Sequence, residues 1–339
     1  MKILLSFGTR PEWIKIKPLI TAFQQNNIEY NCLFTGQHTD LLTSHHFEWE
    51  ITINNSNNNR LNNIIASILD ADLPWSNWDY TLTQGDTASA YAVTLAAFNN
   101  NIKTIHLEAG LRSNDLENPY PEEAYRQMIS RIADINFCPT DESAQNLKNE
   151  NVLGKIFTVG NTVLDNLKKY KNNCEYGNTV VVTLHRRENH SIIDKWFVEL
   201  NKVAKQHSNL KFVLPVHSNP NVKKHVDILT DVQCIEPVSY DVMIDMITKS
   251  KFIITDSGGL QEEGSFFNKK VIVCRKTTER PEGIFTGHLH MCKTPANLIN
   301  LVNEIEKDPT WNAECPYGDG NSGQKICNIL NSEKSDEKI

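Results

Sequence analysis

Residues 106–126, HLEAGLRSNDLENPYPEEAYR, hold five acids (Glu108, Asp115, Glu117, Glu122, Glu123) and two arginines (Arg112, Arg126), broken by Pro119 and Pro121. A buried strand that runs into Glu108 and then into a proline-rich loop aims carboxylates from a rigid scaffold. Asp86 ends a similar run upstream. Carboxylates gathered in one place perturb one another's ionisation, so that one acts as acid and another as base. Asp86, Glu108 and Glu122 are therefore the candidate catalytic acids. Arg126 lies four residues after Glu122 and shares its helix face, a spacing that a plain surface ion pair also explains.

A second set is basic. Arg10, His185, Arg186, Arg187, His217 and Arg280 all stand beside expected strand ends, where together they fit one anion such as a diphosphate; singly, each fits a solvated turn. Asp256-Ser257-Gly258-Gly259 precedes a helix. Its glycines let backbone approach a ligand, and its N–H groups with the helix dipole suit a phosphate, although a simple turn has the same composition. Glu262 and Glu263 follow, where a carboxylate can accept hydrogen bonds from ribose hydroxyls or merely serve as a first-turn helix acid.

The elements that position these groups follow from hydrophobic runs and turn signals. Strands are expected at 2–7, 31–35, 80–83, 102–107, 135–138 and 157–161, with helices between them. After a polar stretch at 172–178, the candidate linker, the alternation restarts with strands at 179–183, 211–216, 251–255 and 270–274. Strand–helix alternation predicts parallel sheets, and the restart predicts two of them. Parallel sheets bind ligands beyond the carboxyl ends of their strands, where every polar cluster above falls. The division expected is 1–168 and 169–320, with a last helix at about 321–335 packing back on the first domain. The asparagine-rich 54–63 reads as a solvated loop, with a helix beginning at 64, and the charged tail from 332 as frayed.

Composition sets limits. A length of 339 residues suits two domains. A formal net charge of -7 argues against a general nucleic-acid binder. Eight cysteines without a CxxC pair read as reduced thiols of a cytoplasmic protein, with no metal site. No run is long enough to span a membrane. Gly318, Gly320 and Gly323 match GxGxxG, but no strand is expected ahead of them, so a dinucleotide loop is excluded on context.

The ordered motifs resemble the non-hydrolysing UDP-N-acetylglucosamine 2-epimerases: GTRPE at 8–12, TGQH at 35–38, GDT at 85–87, HLEAGLR at 106–112, PEEAYR at 121–126, VGNTVLD at 159–165, LHRRE at 184–188, PVHSNP at 215–220, DSGGLQEE at 256–263, TTERPEG at 277–283 and PYGDG at 316–320. The resemblance implies two Rossmann-like domains facing a cleft, as in GT-B glycosyltransferases. It implies that UDP-GlcNAc and UDP-ManNAc are interconverted by elimination and re-addition of UDP, with no nicotinamide or other cofactor. It places catalytic roles on Asp86, Glu108, Glu122 and His185. Phosphate and sugar contacts fall on Arg10, Lys15, Arg126, His217, Ser257, Gly258 and Arg280, and the ribose acid on Glu263. A cytoplasmic homodimer in polysaccharide biosynthesis is the expected setting. Epimerisation of a modified UDP-HexNAc, hydrolytic release of ManNAc and UDP, and glycosyl transfer are the alternative activities. Two departures stand out. Gln84 precedes Gly85 where the family usually carries His, a change expected to alter contacts around Asp86. Thr39-Asp40-Leu41 differ from many relatives in a region where some members bind a second UDP-GlcNAc as activator.

Overall fold

The computed structural model describes residues 1–38, 47–56 and 58–336; Thr39-Asp40-Leu41 lie outside them. The chain divides into two compact units, Met1–Asn166 with Gly318–Ile339, and Leu167–Tyr317.

The first unit runs β1 (Lys2–Phe7), α1 (Arg10–Gln25), β2 (Glu29–Phe34), β3 (Trp49–Glu50), α2 (Arg60–Leu69), β4 (Tyr80–Gln84), α3 (Ala88–Asn99), β5 (Lys103–Leu107), α4 (Glu122–Ile132), β6 (Ile135–Cys138), α5 (Asp141–Asn149) and β7 (Lys155–Thr158). The strands form one parallel sheet in the order β3-β2-β1-β4-β5-β6-β7. Helices cover both faces, so strand residues on both sides are buried. Leu5, Leu82 and Ile105 pack with α1, and Leu4 and Leu33 pack with α2 and α3. The strand order reverses between β1 and β4, so the turns after these strands flank the crevice where such sheets hold ligands.

The second unit runs β8 (Thr179–Thr183), α6 (Ile193–Gln206), β9 (Lys211–Pro215), α7 (Pro220–Lys223), β10 (Gln233–Ile235), α8 (Tyr240–Thr248), β11 (Ser250–Thr255), α9 (Gly258–Phe266), β12 (Val271–Val273), α10 (Glu282–Phe285), β13 (Leu289–Met291) and α11 (Leu298–Lys307). Its parallel sheet is ordered β10-β9-β8-β11-β12-β13, with the reversal between β8 and β11.

Several boundaries differ from expectation for local reasons. The helix expected at 64 starts at Arg60, because the Asn59 side chain caps it by accepting from Leu61 N and Asn62 N at 3.0 and 3.2 Å. Strands β3, β10 and β13 were not expected; they have two, three and three residues, too few to show a period. The polar stretch 172–178 is not a free linker. Glu175 N and Gly177 N donate to the Thr248 and Lys249 carbonyls at 2.9 and 3.2 Å, which ties it to the second unit.

Helix α12 (Ser322–Asp336) closes the first unit, burying Ile326, Cys327 and Leu330 with Ile16, Leu19 and Phe23 of α1. Its N-terminus lies within the GxGxxG stretch at 318–323 and is occupied by the chain's own carboxylate: Asp165 accepts from Ser322 N at 3.0 Å and Gly323 N at 2.7 Å. The glycines there serve a turn and a cap.

Candidate active site

In the first unit, Glu108 is the first residue beyond β5, with φ +66. A left-handed glutamate is unfavourable by about 1–2 kcal/mol, and such conformations concentrate at functional sites. The next turn is fixed by packing. Gly110 also has positive φ, and a Cβ there would come 2.1 Å from the Ser143 carbonyl oxygen of α5, so only glycine fits.

The Glu108 carboxylate is buried, and its Oε2 is held by the Lys15 ammonium from α1 and by the Gln84 amide from the end of β4. Asp86, two residues beyond β4, pairs with Arg126 of α4, whose Nε lies 3.0 Å from Oδ2. Cations lie beside two of the acids expected to gather here, Arg126 at Asp86 and Lys15 at Glu108. Arg126 also bonds Glu123, at 3.3 Å. That fully buried acid accepts from Ser113 N and Gln127 as well, and so joins the 113–121 loop to α4. The expected partnership with Glu122 thus understates Arg126, which ties α4 to Asp86 and pairs within the helix with Glu123. Glu122 begins α4, one turn before Arg126. Gln84 reaches Glu108; the contact expected to change was at Asp86.

The turn carrying Asp86 is pinned from beneath. His106 Nε2 lies 2.8 Å from the Gly85 carbonyl, which can only accept, so Nε2 carries the proton. Burial lowers the His106 pKa to about 4, against the opposing Gly85 bond, so the ring is neutral near pH 7. Glu12 ties this turn to the other side of the crevice. It accepts from Gly8 N and Thr9 N at 2.8 and 2.6 Å, and from the Thr87 hydroxyl at 2.5 Å. Burial raises its pKa. Arg10 is exposed in the first turn of α1, and Lys15 follows a turn and a half later.

In the second unit, the turns after β8 and β11 meet at Asp256. This fully buried carboxylate accepts from His185 N, Arg186 N at 2.8 Å and Asn189 Nδ2 at 3.0 Å. Gly258 opens α9, and Ser257 occupies its N-cap position without a side-chain cap bond. A Cβ on Gly258 would lie 2.9 Å from Arg280 Nη1 and 3.4 Å from Arg186 Nη2. Two guanidinium groups thus approach a helix N-terminus, a combination that attracts an anion. Arg280 is clamped by Glu262 at 2.6 Å and by Glu279; Arg275 bridges Glu188 and Glu279 at 2.6 and 2.9 Å.

His185 and His217 stack with ring centroids 4.8 Å apart. Burial lowers the His185 pKa although Asp256 opposes it, so fixed positive charge at this end comes from the arginines, contrary to the expectation that counted His185 as a cation. Arg187 and His217 are exposed. Glu263 accepts from the Tyr240 hydroxyl at 3.0 Å. It and Glu262 lie in the second turn of α9, so they are not the first-turn acids of the simpler reading.

Sequence reasoning missed Glu12, Glu123 and Asp256 as working groups, and marked Gln84 only as a departure beside Asp86. Only Glu12 carried a local signal: Thr9 and Glu12 form a capping box. Gln84 and Asp256 act on partners distant in sequence, and Glu123 holds the backbone of Ser113 and Asn114 across a loop that has no regular period.

The family model described as UDP-N-acetylglucosamine 2-epimerase matches residues 21–331. UDP-N-acetylglucosamine 2-epimerase of Campylobacter jejuni is 38% identical over 100% of this chain and 99% of its own length. The Neisseria meningitidis serogroup A protein of the same name is 35% identical over 97% and 99%. Among solved structures, the Neisseria meningitidis enzyme bound to UDP-GlcNAc superposes with a TM-score of 0.88 at 34% identity, covering 98% of this chain and 100% of that one. The S. aureus MnaA–UDP structure also gives 0.88, at 33% identity over 98% and 97%. A glycosyltransferase of kitacinnamycin, at 11% identity and a TM-score of 0.64, shares the GT-B-type fold. The chain belongs to the UDP-N-acetylglucosamine 2-epimerase family.

Proposed function

We propose that this protein interconverts UDP-GlcNAc and UDP-ManNAc by eliminating UDP and adding it back, without releasing the sugar to water. The hydrogen on carbon 2 of the sugar is not acidic, since no carbonyl adjoins that carbon. Departure of UDP builds positive charge at carbon 1 and acidifies it. The C1–O bond breaks with its electron pair leaving on UDP, a carboxylate takes the C2 proton, and a C1–C2 double bond forms. In the return step, the UDP oxygen bonds to C1 and a proton is delivered to C2 on the opposite face. Inversion therefore requires more than one acid.

The observation that carries this reading is Glu108, held in a left-handed backbone by its strand and grasped by Lys15 and Gln84. Glu108 is assigned as the group that handles the C2 proton, with Asp86 and Glu122 serving the other face and the departing oxygen. Arg126 and Lys15 balance charge around them, and Arg10 contacts the phosphates. The second unit supplies the nucleotide grip. Gly258 N–H, Ser257, Arg280 and Arg186 receive the diphosphate, where stabilising the leaving group is the largest contribution. His185 and His217 donate hydrogen bonds to it, and Glu263 accepts from the ribose.

Product analysis tests the non-hydrolysing course. UDP-GlcNAc should give UDP-ManNAc at equilibrium with no accumulating free ManNAc; stoichiometric ManNAc and UDP would overturn it. Eight free cysteines fit a reducing cytoplasm, and among the described residues no helix is long and apolar enough to cross a membrane. Light scattering tests the homodimer, and a role in polysaccharide biosynthesis follows from UDP-ManNAc as product.

A further inference from the structure

We propose that Gln84 is a positioning residue for this reaction, an uncharged donor that holds the Glu108 carboxylate in its working orientation. The inference rests on the epimerase reading above. Gln84 ends β4 directly opposite Leu107 of β5, so its side chain meets the first residue beyond the neighbouring strand. It is 3% exposed, and its Nε2 donates to Glu108 Oε2, the oxygen that Lys15 also holds. One oxygen is thus grasped from α1 and from β4, while the backbone of Glu108 is committed to φ +66.

The two donors differ in kind. Lys15 brings charge. The amide brings direction and does not ionise, so it fixes the carboxylate without adding a titration of its own. The surrounding charged and titratable groups are Lys15 on α1, Asp86 beyond β4 with Arg126 of α4 upon it, and His106 and Arg112 on the Glu108 segment itself. None of them replaces the Gln84 bond. A misplaced proton acceptor reacts slowly even when substrate binds normally.

Two variants of matched size separate the hydrogen bond from packing. Gln84→Met keeps the volume and removes the donor. It should lower kcat on the order of tenfold to a hundredfold and leave KM and the UDP dissociation constant, measured by calorimetry, within about twofold. Gln84→Glu replaces the donor with a second carboxylate. A like charge at hydrogen-bond distance raises a carboxyl pKa, so the acid limb of the kcat profile should move up by about one pH unit. Wild-type protein is first assayed for solvent deuterium uptake at carbon 2 of UDP-GlcNAc. Failure there sinks the epimerase reading itself. With wild-type exchange intact, the proposal is overturned if both variants keep kcat within twofold and an unchanged pH profile, or if the loss appears in KM alone. Should Gln84→Met melt early, the pH profile of Gln84→Glu decides.

Discussion

Glu108→Gln removes a charge and almost nothing else, so it separates chemistry from scaffold. The side chain stays 6% exposed opposite a Lys15 side chain that is 16% exposed. Glutamine still offers an oxygen to Lys15 and Gln84. A hydrogen bond to a charged partner contributes about 1.5–3 kcal/mol and a neutral one about 0.5–1.5. Weakening two such bonds, by about 1–1.5 kcal/mol each, should lower stability by about 2–3 kcal/mol, several degrees of melting temperature for a unit of this size. The left-handed backbone is unchanged. Turnover is another matter, because a neutral amide cannot accept the C2 proton. Losing a general base costs about 10²–10⁴-fold, and kcat should fall by that amount. On the proposed assignment the UDP grip lies mainly in the second unit, so UDP affinity by calorimetry should stay within about twofold. Initial rates by anion-exchange chromatography, with melting temperature and UDP titration on the same sample, give all three quantities. A kcat loss below tenfold, or a UDP affinity loss as large as the rate loss, would refute the role given to Glu108.

Other predictions address the supports. Gly258→Ala forces its new methyl against Arg280 Nη1, 2.9 Å away; the guanidinium must shift within its Glu262 and Glu279 clamp, so UDP binding weakens roughly tenfold, about 1.4 kcal/mol by titration, while the fold survives. Asp165→Ala leaves two α12 N–H groups unbonded and should cost about 1–2 kcal/mol, as lost N-caps do, read as an earlier melting transition. His106, with a pKa lowered from 6.5 to about 4 by burial, binds more protons unfolded than folded between those values. Its stabilisation is thus present above pH 6.5 and lost as pH falls toward 4, at most about 3 kcal/mol. His106→Gln should flatten the fall in melting temperature over that range; an unchanged slope would show that His106 is not its source.

Much of the architecture was legible because parallel strands covered on both faces are continuous apolar runs, and because polar turns cluster at their carboxyl ends. Glu108 could be read as the end of a strand, and Gly258 as the opening of a helix. Charge pairing was less accessible. Glu122, four residues from Arg126, drew attention that Asp86 and Glu123 share, since the Asp86 pairing depends on the turn beyond β4 meeting α4 in space. Gln84 gave no hint of its partner, because register across β4 and β5 is a property of the sheet. Likewise Asp256 looked like one polar residue in a turn, although its carboxylate fixes the backbone of a turn some seventy positions earlier. The short edge strands were invisible for want of length.

On the proposed mechanism, a carboxylate of this chain breaks the C2–H bond of a UDP-linked N-acetylhexosamine. The most direct measurement is incubation of the purified protein with UDP-GlcNAc in deuterated water without added cofactor, followed by mass spectrometry and proton NMR of the nucleotide sugar. One deuterium should appear, at carbon 2, in recovered UDP-GlcNAc and in UDP-ManNAc. Epimerised product that retains its original hydrogen at carbon 2 would contradict that mechanism.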